Sequence, residues 1–599
     1  MSFKQRTDLR NIAIIAHVDH GKTTLVDEML KQSGTFEGTE RVMDSGDIEK
    51  ERGITILAKN TSISLSDGNT INIVDTPGHM DFGGEFERTL QMVEGFMLLV
   101  DAAEGPLPGT RFVLQKALQL NLKPIVLINK IDRKDADIDR TENMIHDLFL
   151  DLATQEEQLD FPILYGSSRN GYASTDKNLR EGNLQPLFQA ILEHIPVPQE
   201  ETDDLRLLIT NLDHSDYLGR IGVGRIFSGS ISLGKQVIAC KGDTVSAPTK
   251  IIKLYRFKGI KRDETETASF GDIVAIAGVE EELKIGTTLC DVGKPNPVPY
   301  VEVDEPTLSV YFSVNNSPFA GREGKLLTSR QIRDRLHKET KTNLALRVED
   351  TSTPETFKVS GRGQLHLGIL VEIMRREGFE LQLSAPEVIY KTVNNEKCEP
   401  IELLTIDVDA DHQGIIMENL GKRRGLLQNM EHHGTNKVKL EFKIPARGLI
   451  GFRSQFLTDT RGTGLMNHRF MGYEPYVGEI PGRTKGSLVS MEQGAVTGYA
   501  LDGLQPRGVL FVAPGEETYE GMIIGEHSRE NDLDVNPTKG KKLTNMRASG
   551  TDDAIKLMPP RVMTLETSLD WINDDELIEV TPKSIRLRKR GLKAHERKR

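Results

Sequence analysis

The run Ala16-His-Val-Asp-His-Gly21-Lys22-Thr23 follows an apolar stretch, Asn11–Ala16, and opens a helical one, Gly21–Gln32. A Gly-Lys-Thr in that setting turns the free N–H groups of a helix start toward an anion, which is the construction of a phosphate-binding loop. Its first position is Ala16, where the common pattern has Gly, so the match draws its weight from the strand before it and the helix after it. Asp19, His20, Gly21, Lys22, Thr23 and Thr24 are the phosphate-site candidates. Lys22 would bridge the β- and γ-phosphates, and the Thr23 hydroxyl would bind Mg²⁺.

Three further motifs agree in order and context. Asp75-Thr-Pro-Gly78 ends the second strand of a hairpin around Asp67-Gly68. There Asp75 can hold Mg²⁺ through water, and the Gly78 N–H can meet the γ-phosphate. Asn129-Lys130-Ile-Asp132 ends another buried strand. The Asp132 carboxylate, expected to be buried, can accept two bonds from the N1–H and amino group of guanine, donors that adenine lacks. Asn129 should meet the other edge of the base, the Lys130 stem can cover its face, and Ser167 and Ser168 are placed to close the pocket. Arg52-Gly53-Ile54-Thr55-Ile56 lies where a mobile segment can deliver the Thr55 hydroxyl to Mg²⁺. His79 follows Gly78 and could orient an attacking water through a ring nitrogen. The motifs together predict a site that binds and hydrolyses GTP.

The rest of the chain divides by pattern. Residues 1–200 alternate buried strands with helices, as in a mostly parallel doubly wound sheet. After the stiff linker Ile195-Pro-Val-Pro198, residues 201–303 are short β-branched strands punctuated by glycines, the pattern of a small closed barrel. Residues 304–393 and 394–479 both read β-α-β-β-α-β, the ferredoxin-like order. The second of them should carry one helix over residues 448–459. Residues 480–599 read as a separate mixed domain, without clear periodicity before Asp553–Leu557. The fold class expected is therefore multidomain: α/β, then β-barrel, then α+β.

Composition narrows the setting. Cys240, Cys290 and Cys398 stand alone, with no C-x-x-C, which excludes a disulfide scaffold and a structural zinc site. No apolar run approaches a membrane span, so a cytosolic protein without a membrane partner is expected. Asp407, Asp409, Asp411 and Glu418 imitate a calcium loop, but its sixth position is His412 where the turn needs Gly. The formal net charge is −13, yet residues 583–599 hold nine Lys/Arg and one acid. A basic tail on an acidic body suggests one localised contact with a polyanion.

These residues resemble the translational GTPases, the group of elongation factor G and LepA: AHVDHGKTTL, RGITI, DTPGHMDF and NKID stand in that group's order. Within it the chain is similar to the TypA/BipA family. The resemblance rests on DFGGEFERTL (81–90), EGKLLTSRQIRDRL (323–336), FKVSGRGQLHLGILVEIMRREGFELQLSAPEVI (357–389), PARGLIGFRSQFLTDTRGTGLMNH (445–468) and NDLDVNPTKGKKLTNMRASG (531–550). It covers essentially the whole chain and implies a GTPase domain, a translation-factor β-barrel, two ferredoxin-like domains and a family-specific C-terminal domain.

The resemblance also implies a ribosome-stimulated GTPase that uses Mg²⁺ and works in the cytoplasm, a monomer off the ribosome. Its implied partners are the large subunit, the whole ribosome, ribosomal RNA and the acceptor end of transfer RNA. The family is associated with ribosome assembly and with stress. Lys539, Lys541, Lys542 and Arg547, in a Gly/Pro/Asn-containing loop, are the RNA-contact candidates on that ground. Elongation factor G carries a further domain between its ferredoxin-like modules. Here only about a dozen residues separate Ile389 from Ile401, too few for a domain. A translocase arm is thus missing. Two alternatives are an RNA-binding assembly factor in which GTP only sets residence time, and a LepA-like elongation factor.

Overall fold

The computed structural model describes residues 4–17, 19–35, 47–52, 59–76, 88–215, 217–279, 283–300, 305–341, 343, 346–433, 437–480, 482–540 and 556–597. The chain forms two compact units, Met1–Asp304 and Glu305–Arg599.

The first unit opens with a seven-stranded sheet. Its order is Lys59–Ser64, Thr70–Asp75, Leu9–Ala16, Gly95–Asp101, Lys123–Asn129, Ile163–Ser167, Tyr172–Ser174. The five inner strands run parallel, and one antiparallel strand closes each edge. Leu9–Ala16 and Gly95–Asp101 are buried along their whole length, as strands covered on both faces must be. One face packs Phe96, Leu98, Leu114 and Phe149, and the other packs Leu25, Met29, Leu187 and Ile191. Parallel order brings the carboxyl ends of five strands to one edge, and every nucleotide-motif candidate that the structure describes lies at it or just beyond.

The same unit continues into a nine-stranded sheet and a two-stranded ribbon, Ser230–Ser232 with Thr267–Ser269. Their shared core contains Leu207, Ile226, Val274, Ile276 and Leu289. The sheet's Lys253–Lys258 strand ends beside the first sheet, where Ser62 and Gly259 exchange backbone hydrogen bonds of 3.1 and 2.8 Å.

The second unit begins with the expected β-α-β-β-α-β order: Leu308–Val314, Ser329–Thr340, Arg347–Asp350, Thr356–Gly361, Gln364–Arg376, Leu381–Leu383. Thr328 starts the first helix with a reciprocal cap, its side chain and that of Gln331 each bonding the other's backbone N–H. The sheet does not stop at Leu383. Leu381–Leu383 pairs antiparallel with Glu576–Val580, and the ladder runs on through Ile585–Lys589, Met522–His527, Ser487–Ser490 and Leu533–Val535. The segment after residue 480 thereby shares a sheet, and a core of Phe312, Met374, Leu381, Leu569 and Ile578, with the module that starts at residue 305. Its longest helices among the described residues, Gly498–Leu504 and Leu565–Trp571, are seven residues each. Two turns are too few for a helical period to stand out in the sequence. Of Asp553–Leu557, residues 553–555 lie outside the described residues.

The other β-α-β-β-α-β module is a five-stranded sheet centred on Glu396–Asp409, with Gln413–Lys422 as its first helix. Its second helix departs from expectation. Ala446–Leu449 and Phe452–Asp459 are separate, broken at Gly451. Gly451 has φ +70°, and a Cβ there would stand 2.6 Å from the Asp570 carbonyl, so the chain turns where only glycine fits.

The basic tail also departs from expectation. Ile585–Lys589 is an internal strand, not a free end. Lys589 is 2% exposed and lies 2.7, 2.8 and 2.9 Å from Asp532, Asp575 and Glu576. Arg586 pairs with Glu323 and Glu579, Arg597 with Asp534, and Arg588 is buried. Three of the tail's seven described cations, Arg586, Lys589 and Arg597, are thus paired with the protein's own carboxylates.

Candidate functional site

The phosphate loop is built as its sequence requires. Gly21 caps the Lys22–Gln32 helix with φ +97°, and a Cβ on it would stand 2.6 Å from Asn129 Nδ2. Lys22 is buried, with Nζ 2.9 Å from Asp75 Oδ1 and donating to the Thr76 carbonyl. Asp75 is buried at the end of its strand, register partner of Ile14. Thr23 in the first helical turn and Asp75 offer only oxygen, a donor set suited to Mg²⁺. His20 is buried with Nδ1 3.3 Å from the Leu99 carbonyl, and its ring lies edge-on to His17 at 5.5 Å. Thr24 lies in the same first turn. Thr55, Gly78 and His79 lie outside the described residues.

In the guanine motif the departure from expectation is the exposure of Asp132. Asn129 is 1% exposed, and both ends of its amide are engaged. Nδ2 donates to the His20 carbonyl at 2.7 Å, and Oδ1 accepts the Ser168 N–H at 2.8 Å. Asn129 therefore staples the phosphate loop to the Ser167–Ser168 loop, using one of its two N–H donors and one lone pair of its oxygen. Asp132 is exposed, where burial was expected, and its Oδ2 accepts from Asn170 Nδ2 at 3.3 Å. Ser167 and Ser168 are buried, and Ser167 Oγ accepts the Asn170 N–H at 3.3 Å. Lys130, held at φ +60°, donates from Nζ to the Asp19 carbonyl at 2.6 Å.

Motif reading passed over Asp101, Glu104 and Arg133. Asp101 is completely buried and lies 2.8 Å from Lys130 Nζ and 3.2 Å from Arg133 Nη1. The available signal was position: Asp101 ends its strand as Asp75 and Asn129 end theirs, and it is Asn129's register partner.

Of the RNA-contact candidates, Lys539 is exposed, and its carbonyl accepts from Thr497 Oγ1 at 2.6 Å. Lys541, Lys542 and Arg547 lie outside the described residues. No helix among the described residues is long and apolar enough to cross a membrane.

Family models match in the order of the architecture. Residues 7–197 match the elongation factor Tu GTP-binding domain, 219–290 elongation factor Tu domain 2, and 396–484 the elongation factor G C-terminus. Residues 485–594 match the TypA/BipA C-terminal domain. The large ribosomal subunit assembly factor BipA of Bacillus subtilis (strain 168) is 51% identical over 99% of this chain and 98% of its own. That of Escherichia coli (strain K12) is 54% identical over the same shares. The chain belongs to the TypA/BipA family. As a TypA/BipA protein with the GTP-binding domain described above, it is a GTPase of the translational group. A crystal structure from Thermus thermophilus shares the fold at TM-score 0.56 and 15% identity, covering 79% of this chain and 98% of that one.

Proposed function

We propose that this TypA/BipA protein hydrolyses GTP on the ribosome and serves assembly of the large subunit, without translocating. The observation that carries the proposal is the single sheet edge that gathers Lys22, Asp75, Asn129 and Lys130, in a chain more than half identical to proteins named large ribosomal subunit assembly factors.

In this reading Asp132 pairs with guanine and the Lys130 stem covers the base. Ser167 and Ser168 shape the pocket floor beneath it, and the backbone N–H groups after Asp19 and His20 receive the β-phosphate. Lys22 exchanges its Asp75 and Thr76 partners for phosphate oxygens. Thr23 and Asp75, with Thr55, would hold Mg²⁺, which when bound neutralises charge on the β- and γ-phosphates. His79 orients the attacking water, and Thr55 and Gly78 sense loss of the γ-phosphate. Lys539, Lys541, Lys542 and Arg547 contact ribosomal RNA or the transfer-RNA acceptor end by charge, which makes binding salt-dependent. The protein acts in the cytoplasm and is a monomer off the ribosome.

The test is multiple-turnover GTP hydrolysis with no ribosome, with large subunits and with whole ribosomes. Ribosomes should stimulate the wild type, and His79→Ala should lose about 100-fold or more of the stimulated rate, the ordinary worth of a positioned proton-handling group. A second reading, in which GTP only times residence on the subunit, is favoured by the relatives' printed names as assembly factors. It predicts GTP-dependent subunit binding by His79→Ala without stimulated turnover in either protein. Neither binding nor stimulation would overturn both readings.

A further inference from the structure

Lys130 and Asp19 both sit in the left-handed backbone region, at φ +60° and +65°, where side chains are disfavoured. Two such residues persist together only if their surroundings hold them, and the carboxylate behind them is Asp101. It is 0% exposed, and both its oxygens are engaged. Oδ2 takes Lys130 Nζ at 2.8 Å and Arg133 Nη1 at 3.2 Å, and Oδ1 takes the Ala103 N–H at 2.8 Å. Burial pushes this carboxyl up. Lys130, the Ala103 N–H and Arg133 outweigh burial and hold it below the usual carboxylate range, so it is charged at neutral pH.

The same Lys130 Nζ reaches the Asp19 carbonyl, so one ammonium joins the buried carboxylate to the phosphate loop. A second arm runs parallel. Glu104 lies 3.6 Å from Nε2 of the buried His20 and 3.9 Å from Arg133. Asp101 closes the circuit, its N–H 3.4 Å from His20 Nδ1.

We propose that Asp101 is a positioning residue for GTP binding: through Lys130 it ties the base-reading loop to the phosphate loop, and Glu104 holds the second arm through His20. The inference rests on reading this edge as the GTP site. Without the Asp101 charge, Lys130 loses the anchor that keeps its stem where it would cover the base, and the Asp19 carbonyl loses its fixed donor. Base and phosphates are then held by two loops joined less tightly, through the 2.7 Å bond from Asn129 to the His20 carbonyl.

The experiment is stopped-flow release of a fluorescent N-methylanthraniloyl GDP from the full chain, for wild type, Asp101→Asn, Lys130→Met and the double variant. Asp101→Asn preserves shape and should speed release about 10- to 100-fold, the scale of one hydrogen bond to a charged group. The KM for GTP should rise by a larger factor than kcat falls. In the Lys130→Met background the same change should add less than about threefold, because the two residues act as one unit. A full additional factor in that background, or release as slow as wild type from Asp101→Asn, overturns the proposal. If Asp101→Asn does not fold, Glu104→Gln and Lys130→Met carry the test, and wild-type release from either one overturns it. Failure of wild type to bind the nucleotide would refute the site reading itself. Binding that Asp132→Asn weakens and Asp101→Asn leaves unchanged would refute only the coupling.

Discussion

Replacing Asp132 by Asn should turn the protein from a guanosine into a xanthosine triphosphatase. The proposed contact is a carboxylate accepting from both N1–H and the 2-amino group of guanine. Asn keeps the shape but presents one acceptor and one donor, so its NH₂ opposes the amino group of guanine. Xanthine carries a carbonyl at that position and restores the match. One hydrogen bond that loses its charged acceptor and one replaced by two opposed donors predict a KM for GTP raised about 10²- to 10⁴-fold. XTP should be hydrolysed at a KM near the one GTP has with wild type. The side chain is exposed and accepts a long, 3.3 Å bond from Asn170, so the fold should tolerate the change. Steady-state hydrolysis of the two nucleotides by the two proteins is the measurement. An unchanged KM for GTP would show that Asp132 does not read the base.

Lys589→Met should destabilise the second unit by about 3 kcal/mol or more, the scale for breaking a buried ion pair from one side. The ammonium serves three carboxylates, and Glu576 among them is fully buried. Arg483 stays 2.8 Å from Glu576, which keeps the loss from being larger. The reporter is native. Trp571 is the chain's single tryptophan, buried, with Nε1 donating to Glu526 at 2.9 Å. Glu526 lies on the strand that pairs with Ile585–Lys589. Urea unfolding followed by Trp571 fluorescence should shift to lower denaturant, and an unshifted midpoint would return the tail to a role outside the fold.

The same carboxylates set a pH window. Burial pushes Glu323, Glu526 and Asp532 up. Their partners, chiefly Thr581 and Arg586 for the first, Lys485 and Trp571 for the second, and Lys589 for the third, outweigh burial and hold all three below their ordinary values. A depressed carboxylate contributes stability that is present above its unfolded pKa and lost as pH falls through the folded one. Lys589 is opposite in sign. Burial lowers it, Glu576, Asp532 and Asp575 raise it further, and its contribution is lost only as pH rises beyond 10.5. Stability of this unit should therefore hold level between about pH 5 and 10 and fall on acidification below the ordinary glutamate value of 4.5. Unfolding by urea across pH 3–7 checks the acid side, and a flat profile there would contradict it.

The nucleotide motifs were legible because each is a short contiguous run whose chemistry depends on local geometry. A strand end, a tight turn and a helix start suffice to say what Gly21, Lys22 and Asp75 can do. Asn129 shows the limit. Residue type suggests a base contact, and that the same side chain also staples two loops depends on where the His20 carbonyl and the Ser168 N–H come to lie. Asp101 carried no motif, since its partners belong to a different strand end. The single expected helix over 448–459 failed at Gly451 because the carbonyl that excludes a side chain there belongs to Asp570, far along the chain.

The sequence by itself determined that the chain holds a phosphate loop and guanine motifs on a doubly wound sheet, followed by β-rich and α+β segments. Periodicity and turn chemistry act over a few residues and survive without long-range contacts. Tertiary structure alone decided the fate of charge. Nine cations in the last seventeen residues read as an electrostatic hand held out to a polyanion. Folded, Arg586 meets Glu323 across 263 positions of chain, and Lys589 meets Asp532, Asp575 and Glu576 in a buried strand. A charge is attracted to any opposite charge near it, and only the folded chain determines which of them that is.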